Sequence, residues 1–311
     1  MSRALYVLLG LVAFGLVASV SLALGYALGR GLLAIPQPAV ALLRVEGTIA
    51  ARDSGGFLAG EVASAERIVE QLDRIREDPG IRAVVLRIDS PGGEVTASDE
   101  IHAAVQRVRE ADKAVVVSMG GLAASGGLYI ATPADYIVAN PTTITGSIGV
   151  IATYPNVEGL MDKVGIRWRI FKTGPHKAET SGLEPISPEG EAIIRRMMDE
   201  AYERFIDVVA EGRGLPEDRV RALADGRVYT GLQARDVGLV DDLGNLPDAI
   251  RHAGELAGLG SEPRVIEFDV RPGLFDALRF EERLGVSIDL GDLGGIPPRL
   301  TLQYLYLGTG L

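Results

Sequence analysis

The sequence predicts an α/β fold with a largely parallel β-sheet covered by helices on both faces. Apolar runs of strand length alternate with amphipathic segments of helical period along residues 40–270. The run at residues 81–88 is apolar almost throughout, as expected for a strand that is buried on both faces. Glycine-rich turns at residues 89–93 and 120–127 directly follow strand-like runs. Both turns should therefore lie at the carboxyl edge of the sheet, where active sites form.

The same alternation defines the remaining elements. Predicted strands are residues 40–49, 81–88, 114–119, 136–139, 144–151, 166–171 and 264–270. Predicted helices are residues 61–78, a segment after residue 93, a segment after Ser125, residues 156–164 and 189–211, and a helix–turn–helix within 216–259. Because no linker divides residues 40–270, we expect one domain there. We expect the C-terminal extension, residues 271–311, to pack on this chain or on a neighbour.

The amino-terminal segment is apolar: residues 4–29 carry no charged side chain. About 20 such residues suffice to cross a bilayer, and no convincing small-x-small cleavage motif of a secretory signal is present. We therefore expect an uncleaved transmembrane anchor, residues 1–30, and a linker, residues 31–39. Arg3 and the amino terminus slightly outweigh Arg30, which favours a catalytic domain on the extracytoplasmic side.

Composition excludes several classes of function. The formal net charge is −11 and no basic stripe is present, which argues against nucleic-acid binding. Cysteine is absent, the three histidines are far apart, and no H-E-x-x-H motif occurs. The sequence also lacks the glycine-rich phosphate loop of nucleotide-binding enzymes. We therefore expect neither a metal ion nor an organic cofactor.

Ser125 lies at the junction between a predicted strand and a predicted helix, among small residues. Such a serine can simply cap the helix. The same position exposes a hydroxyl to substrate and directs helix N–H groups at the negative charge of an attacked carbonyl. Placement at the carboxyl edge favours a nucleophile over a cap.

A serine nucleophile needs a base. His102 and His252 fall within amphipathic helices, whereas His176 lies in the irregular stretch 173–188. Lys172 and Lys177 follow a strand that should end at the active edge. A lysine amine acts as a base only when it is neutral, a state that burial favours. Residue chemistry alone leaves His176, Lys172 and Lys177 open.

Four motifs together resemble those of the signal peptide peptidase A family, which is peptidase family S49. They are Asp89-Ser-Pro-Gly-Gly93, Ala124-Ser-Gly-Gly127, Gly146-Ser-Ile-Gly-Val150 and Gly174-Pro-His-Lys177. Each motif is weak alone, but four in this order behind an apolar segment are specific. The resemblance covers about residues 40–259 and is to the short form with one catalytic domain. It implies the ClpP/crotonase-like fold of repeated ββα and βαβ units.

The resemblance also implies residue roles. It makes Ser125 the nucleophile and Lys177 the general base of a Ser/Lys dyad, and it makes Ser147 the residue that orients the lysine amine. Backbone N–H groups of Gly92 or Gly93, and of Gly126, would form the oxyanion hole. Leu128 departs from the family pattern, since many relatives carry an aromatic residue there.

The implied activity is that of a membrane-anchored serine endopeptidase that degrades cleaved signal peptides. Expected substrates are signal peptides and unfolded or short chains, with small or apolar residues near the cut. A bowl-shaped homo-oligomeric ring is also implied, and whether a neighbouring subunit completes the site stays open. Alternatives are a protease with one specific membrane-protein target, an acyl-CoA enzyme of the crotonase type, and a catalytically inactive scaffold.

Overall fold

The computed structural model describes residues 14–22, 37–52, 62–268 and 301–305. The chain divides into two compact units, Met1–Pro38 and Ala39–Leu311. In the first unit, residues 14–22 form a solvent-exposed helix, α1. None of the described helices is both long and apolar enough to cross a bilayer. Most of the predicted anchor and linker, and most of the C-terminal extension, lie outside the described residues.

The second unit alternates strands and helices in the predicted manner. Its strands are β1 Ala39–Glu46, β2 Thr48–Ala50, β3 Val62–Ser64, β4 Ile81–Ser90, β5 Gly92–Glu94, β6 Ala114–Ala124, β7 Tyr136–Ala139, β8 Ile144–Gly146, β9 Ile151–Thr153, β10 Val228–Thr230, β11 Asp242–Leu243, β12 Val265–Phe268 and β13 Thr301–Leu305. Its helices are α2 Ala65–Glu77, α3 Val95–Glu110, α4 Gly126–Ala131, α5 Glu158–Val164, α6 Pro188–Arg213, α7 Glu217–Leu223, α8 Gly231–Val237 and α9 Leu246–Leu256.

The larger sheet has eight strands, with the central order β10-β8-β6-β4-β1-β12. All its pairings are parallel except that of β10 with β8. The first half of β6 pairs with β7 and its second half pairs with β8. This shared strand brings the carboxyl ends of β6 and β8 to one edge of the sheet, beside the end of β4.

Both faces of the sheet are buried, which accounts for its apolar strands. On one face, Leu43, Leu86 and Val117 belong to a core that also includes side chains of α2, α3, α4 and α6. The opposite face packs against α9 through a smaller cluster that includes Val85 and Ala249. The mixed α/β architecture and the parallel sheet predicted from the sequence are thus confirmed.

A second sheet of five strands, in the order β3-β2-β5-β13-β9, lies beside this edge. Its strand β5 contains the glycines of the first glycine-rich turn. Strand β13, from the C-terminal extension, is antiparallel to both β5 and β9. Residues 301–305 of the C-terminal extension therefore pair with strands of the same chain.

Three predicted strands differ from the structure. Residues 40–49 split at Gly47 into β1, which belongs to the larger sheet, and β2, which belongs to the smaller one. Residues 144–151 do not form one strand: the chain leaves β8 at Ser147, whose φ is 52°, and re-enters a different sheet as β9. Residues 166–171 form no strand, although their apolar side chains alternate. Both Trp168 and Phe171 are exposed. The alternation at residues 166–171 therefore does not correspond to a strand that pairs with another described strand.

Candidate active site

Ser125 lies between the last residue of β6 and the first residue of α4. Its φ and ψ are 54° and −115°, a combination that L-residues rarely adopt and that costs roughly 1–3 kcal/mol. The conformation is held from both sides: the Ser125 N–H donates to the Gly146 carbonyl at 2.7 Å, and its carbonyl accepts from the Tyr129 N–H at 2.9 Å. Strain fixed in this way at a strand-to-helix turn is typical of nucleophiles.

The Ser125 hydroxyl is not used to cap α4. Its side chain accepts no capping hydrogen bond, and its buried Oγ makes no hydrogen bond with any described residue. Buried hydroxyls in proteins are nearly always hydrogen-bonded, so an unpartnered one calls for an explanation. Reaction with a substrate is such an explanation, and the capping alternative is thereby disfavoured.

The first glycine-rich turn lies directly against Ser125. A Cβ atom added to Gly126 would lie only 3.0 Å from Gly92 Cα and 3.1 Å from Gly93 N. The Gly92 N–H donates to Ser90 Oγ at 3.1 Å, so this predicted oxyanion donor is already engaged within its own turn. The Asp89 carboxylate links the start of the first glycine-rich turn to β6, since it accepts a hydrogen bond from the Leu122 N–H at 3.1 Å.

Ser147 is the next residue after β8, as Ser125 is the next residue after β6. Residues Ala124 and Gly146 are paired in the parallel ladder, so the two serines leave neighbouring strands side by side. Ser147 is buried, and its N–H donates to the Arg227 carbonyl at 2.8 Å. The structure therefore brings Ser125, Ser147 and the three predicted oxyanion glycines to one place.

Lys177 is not part of this cluster in the single chain. It is exposed, in the irregular segment between α5 and α6. Its amine has no hydrogen bond or ion pair with any residue of the described ranges, whereas the nearby Lys172 amine pairs with Glu184 at 2.6 Å. His176 pairs with Glu179 at 3.0 Å. Neither the Lys172 amine nor the His176 ring forms a hydrogen bond with Ser125 Oγ.

Comparison with known proteins identifies the family. A model of peptidase family S49 matches residues 107–260, and a Clp protease model matches residues 53–143. A Synechocystis protein described provisionally as a protease is 42% identical over 214 residues, which are 68% of this chain and 76% of that protein.

The chain belongs to peptidase family S49. An Enterococcus faecium protein described provisionally as signal peptide peptidase SppA is 37% identical over 208 residues, 67% of this chain and 60% of the relative. The chloroplast serine protease SPPA of Arabidopsis thaliana is 35% identical over 244 residues, 78% of this chain but only 35% of the relative. The S49 chain is thus a peptidase. It matches about a third of the length of the plant protein.

An aromatic cluster lies behind the glycine turn of this S49 peptidase. The Tyr129 ring packs edge-on against Phe205 at 5.1 Å and against His102 at 5.2 Å, and its hydroxyl donates to Asp99 at 2.5 Å. Burial, helped by this bond to Asp99, raises the pKa of Tyr129 above its usual range. Burial likewise lowers the pKa of His102 to about 4. Both side chains are therefore neutral at pH 7.

The sequence indicated no role in the site for Asp99 or Phe205. The cluster joins His102 of α3, Tyr129 of α4, Phe205 of α6 and Tyr304 of β13. No regular spacing along the chain connects these positions. Among the described residues, no group of three or more His, Asp or Glu side chains could hold a metal ion.

Proposed function

We propose that this S49 peptidase is a membrane-anchored serine endopeptidase that uses a Ser125/Lys177 dyad to degrade cleaved signal peptides. The observation that carries the proposal is the Ser125 hydroxyl, which is buried, unpartnered and adjacent to two backbone N–H groups. The SppA and SPPA names of relatives support the substrate and the serine mechanism. The uncharged residues 4–29 support the anchor. Arg3 and the amino terminus, set against Arg30, support the extracytoplasmic placement of the catalytic domain.

The proposed reaction is acyl transfer. The neutral Lys177 amine takes the Ser125 proton as Oγ attacks the peptide carbonyl, and Ser147 orients the amine. The Gly93 and Gly126 N–H groups stabilise the tetrahedral oxyanion; one such donor contributes about 2.7–4 kcal/mol in other hydrolases. Lys177 then protonates the leaving amine, and water hydrolyses the acyl-enzyme to regenerate Ser125.

We propose further that the dyad forms between copies of the chain in a homo-oligomer. Among the residues that the structure describes, Ser125 is buried without a base and Lys177 is exposed without a partner. The segment that carries Lys177 exposes apolar side chains, with Phe171 at 93% and Trp168 at 54% of their full accessible area. Exposed apolar side chains grouped in this way are typical of protein–protein interfaces. Docking of this segment on a neighbour would bury them and bring Lys177 to that neighbour's serine.

The test is cleavage of a synthetic signal peptide by the full-length protein in detergent or lipid. Ser125→Ala and Lys177→Ala should each lower kcat by about 10⁴-fold or more. Lys172→Ala and His176→Ala are the matched controls and should retain most activity. Chelators should not affect wild-type activity.

Each result has a defined consequence. A His176→Ala loss equal to that of Lys177→Ala would instead make the histidine the base. Wild-type protein that cleaves no peptide and is not labelled at Ser125 by a fluorophosphonate would support an inactive scaffold. Cleavage of one membrane protein, but of no signal peptide, would keep the dyad and replace the substrate.

A further inference from the structure

The two proposed oxyanion donors belong to segments that lead into two different helices. Gly93 lies in β5, which runs directly into α3. Gly126 is the first residue of α4 and directly follows Ser125. Both N–H groups must lie about 2.7–3.1 Å from one oxygen in order to stabilise its negative charge. The position of α4 relative to α3 therefore sets the geometry of the oxyanion hole.

Two consecutive residues of α3 contact α4. The Ser98 side chain is fully buried, and a Cβ atom added to Gly126 would lie 2.7 Å from its hydroxyl oxygen. Asp99 accepts a hydrogen bond from the Tyr129 hydroxyl at 2.5 Å. Ser98 thus lies against the first residue of α4, and Asp99 binds the side chain of the residue three positions later. These two contacts together fix the place of α4 on α3.

Tyr129 connects the contact with Asp99 to the nucleophile. Its backbone N–H donates to the Ser125 carbonyl at 2.9 Å, and its side chain is fully buried. Ser125 has a φ of 54°, and such a conformation persists only when the surrounding structure holds it. The backbone of Tyr129 therefore supports the strained turn, while its phenol fastens the same helix to Asp99.

The Asp99 carboxylate is itself held from a third element. The Arg204 guanidinium of α6 donates to the Asp99 oxygen that accepts from Tyr129, at 3.2 Å. A hydrogen bond to a carboxylate is stronger than one between neutral groups. A tyrosine hydroxyl that is buried and deprived of its acceptor is destabilising. The contact between Asp99 and Tyr129 is thus the strongest polar link described between α3 and α4.

We infer that Asp99 is a positioning residue of the proposed reaction and that it acts through the Tyr129 hydroxyl. Held by this bond, α4 keeps Ser125 and Gly126 in place against Gly93. The inference rests on the proposed function, since it concerns the same serine and the same oxyanion hole. A displacement of about 1 Å at such a site costs about 100-fold in rate. Because the packing of Ser98 on Gly126 still limits the shift, loss of the Asp99 carboxylate should cost about tenfold.

The first experiment measures peptide cleavage by full-length variants in detergent. Asp99→Ala and Tyr129→Phe should each lower kcat by about tenfold and change KM by less than about twofold, because the oxyanion forms only in the transition state. Asp99→Asn keeps an acceptor oxygen without the charge and should remain within about threefold of wild type. Glu100→Ala, which removes the exposed carboxylate next in sequence, is the matched control and should have wild-type kinetics.

The second experiment asks whether Asp99 acts through the phenol. If both residues act through one hydrogen bond, Asp99→Ala combined with Tyr129→Phe should be about tenfold slower than wild type, like each single variant. The rate at which a fluorophosphonate labels Ser125 should follow the same pattern, because its phosphoryl oxygen occupies the same hole. Chemical denaturation of the same samples separates a loss of folded protein from a loss of kcat. Tyr129→Phe keeps the buried ring and decides the question if Asp99→Ala fails to fold.

The outcomes distinguish this inference from the proposed function. An unchanged kcat in both single variants would overturn the role of Asp99 but leave the protease. A double variant about 100-fold slower than wild type would mean that the two residues act independently, and it would also overturn the inference. Wild type that cleaves no peptide and is not labelled at Ser125 would remove the proposed function and the inference with it.

Discussion

The segments that carry Ser125 and Lys177 are opposites in almost every physical respect. Ser125 is buried, strained and fixed by the pairing of β6 with β8. Lys177 is exposed, lies outside any helix or strand, and has no described partner. The Ser125 segment is held by the sheet of its own chain, whereas Lys177 is exposed to solvent. Under the proposed dyad, a single copy preorganises the nucleophile but not the base.

The proposed division of the dyad between copies would keep the site inactive before assembly. A serine protease needs both the hydroxyl and the base at one place. A chain that buries its serine without a base would have little hydrolytic activity as a monomer. Assembly would then supply the base and would limit access at the same step.

The largest effect should come from damage to the preorganised side. A Cβ atom at Gly93 would lie 1.9 Å from the Ile49 carbonyl oxygen, and one at Gly121 would meet nothing within 4 Å. Gly93→Ala should therefore displace an oxyanion donor and lower kcat by about 100-fold or more. Gly121→Ala, the control in the next strand, β6, should keep wild-type kinetics. Equal activity of the two variants would argue against an oxyanion role for the turn.

A smaller decrease in kcat is expected when the contact that positions the Lys177 segment is lost. Glu179 accepts hydrogen bonds from the Ser187 hydroxyl at 2.7 Å and the Ser187 N–H at 2.9 Å. Ser187 in turn caps α6, since its hydroxyl accepts from the Gly190 N–H. These bonds, with the contact to His176, lower the pKa of Glu179 to about 2. The carboxylate thus fastens the Lys177 segment to the start of α6.

Glu179→Gln should therefore lower kcat by about tenfold, less than the hundredfold that a 1 Å misplacement costs. Glu184→Gln, which removes only the partner of Lys172, is the matched control and should be nearly neutral. An unchanged Glu179→Gln enzyme would mean that the segment is positioned entirely by its neighbour.

The smallest effect on activity, but a clear one on stability, concerns His102. Burial lowers the pKa of its imidazole from 6.5 to about 4, so the unfolded chain binds more protons between these values. The neutral imidazole makes its full contribution to stability above pH 6.5. As the pH falls towards 4, the free energy of unfolding decreases by up to about 3 kcal/mol. Chemical denaturation of His102→Phe should give a flatter stability curve in this window. A slope identical to that of wild type would contradict the burial of a neutral imidazole.

Local sequence patterns predicted the parallel sheet, the two glycine turns and the strand-to-helix position of Ser125. These features depend on the period of the hydrophobic residues, on the residues that form turns, and on the rule that the carboxyl ends of parallel strands meet at one edge of the sheet. The resemblance of four motifs supplied the roles of Lys177 and Ser147, which no periodicity indicates. Membership of the S49 family is confirmed, while the residue roles stay predictions.

Other features could not be read from the sequence because they depend on contacts between distant segments. The apolar alternation at residues 166–171 suggested a strand, yet its side chains are exposed in the single chain. The place of Tyr304 beside Gly92 and Gly126 joins positions nearly two hundred residues apart. Only the assembled sheet reveals that the C-terminal strand enters the active-site edge.

The most direct test of the account mixes two inactive variants. Ser125→Ala and Lys177→Ala are co-assembled in equal amounts from dissociated subunits, and signal-peptide cleavage is compared with that of wild type. A dyad formed between copies in a ring predicts recovery of about one quarter of the wild-type sites. No recovery, with oligomers that demonstrably contain both variants, would place the two residues within one chain and contradict the division of the site described here.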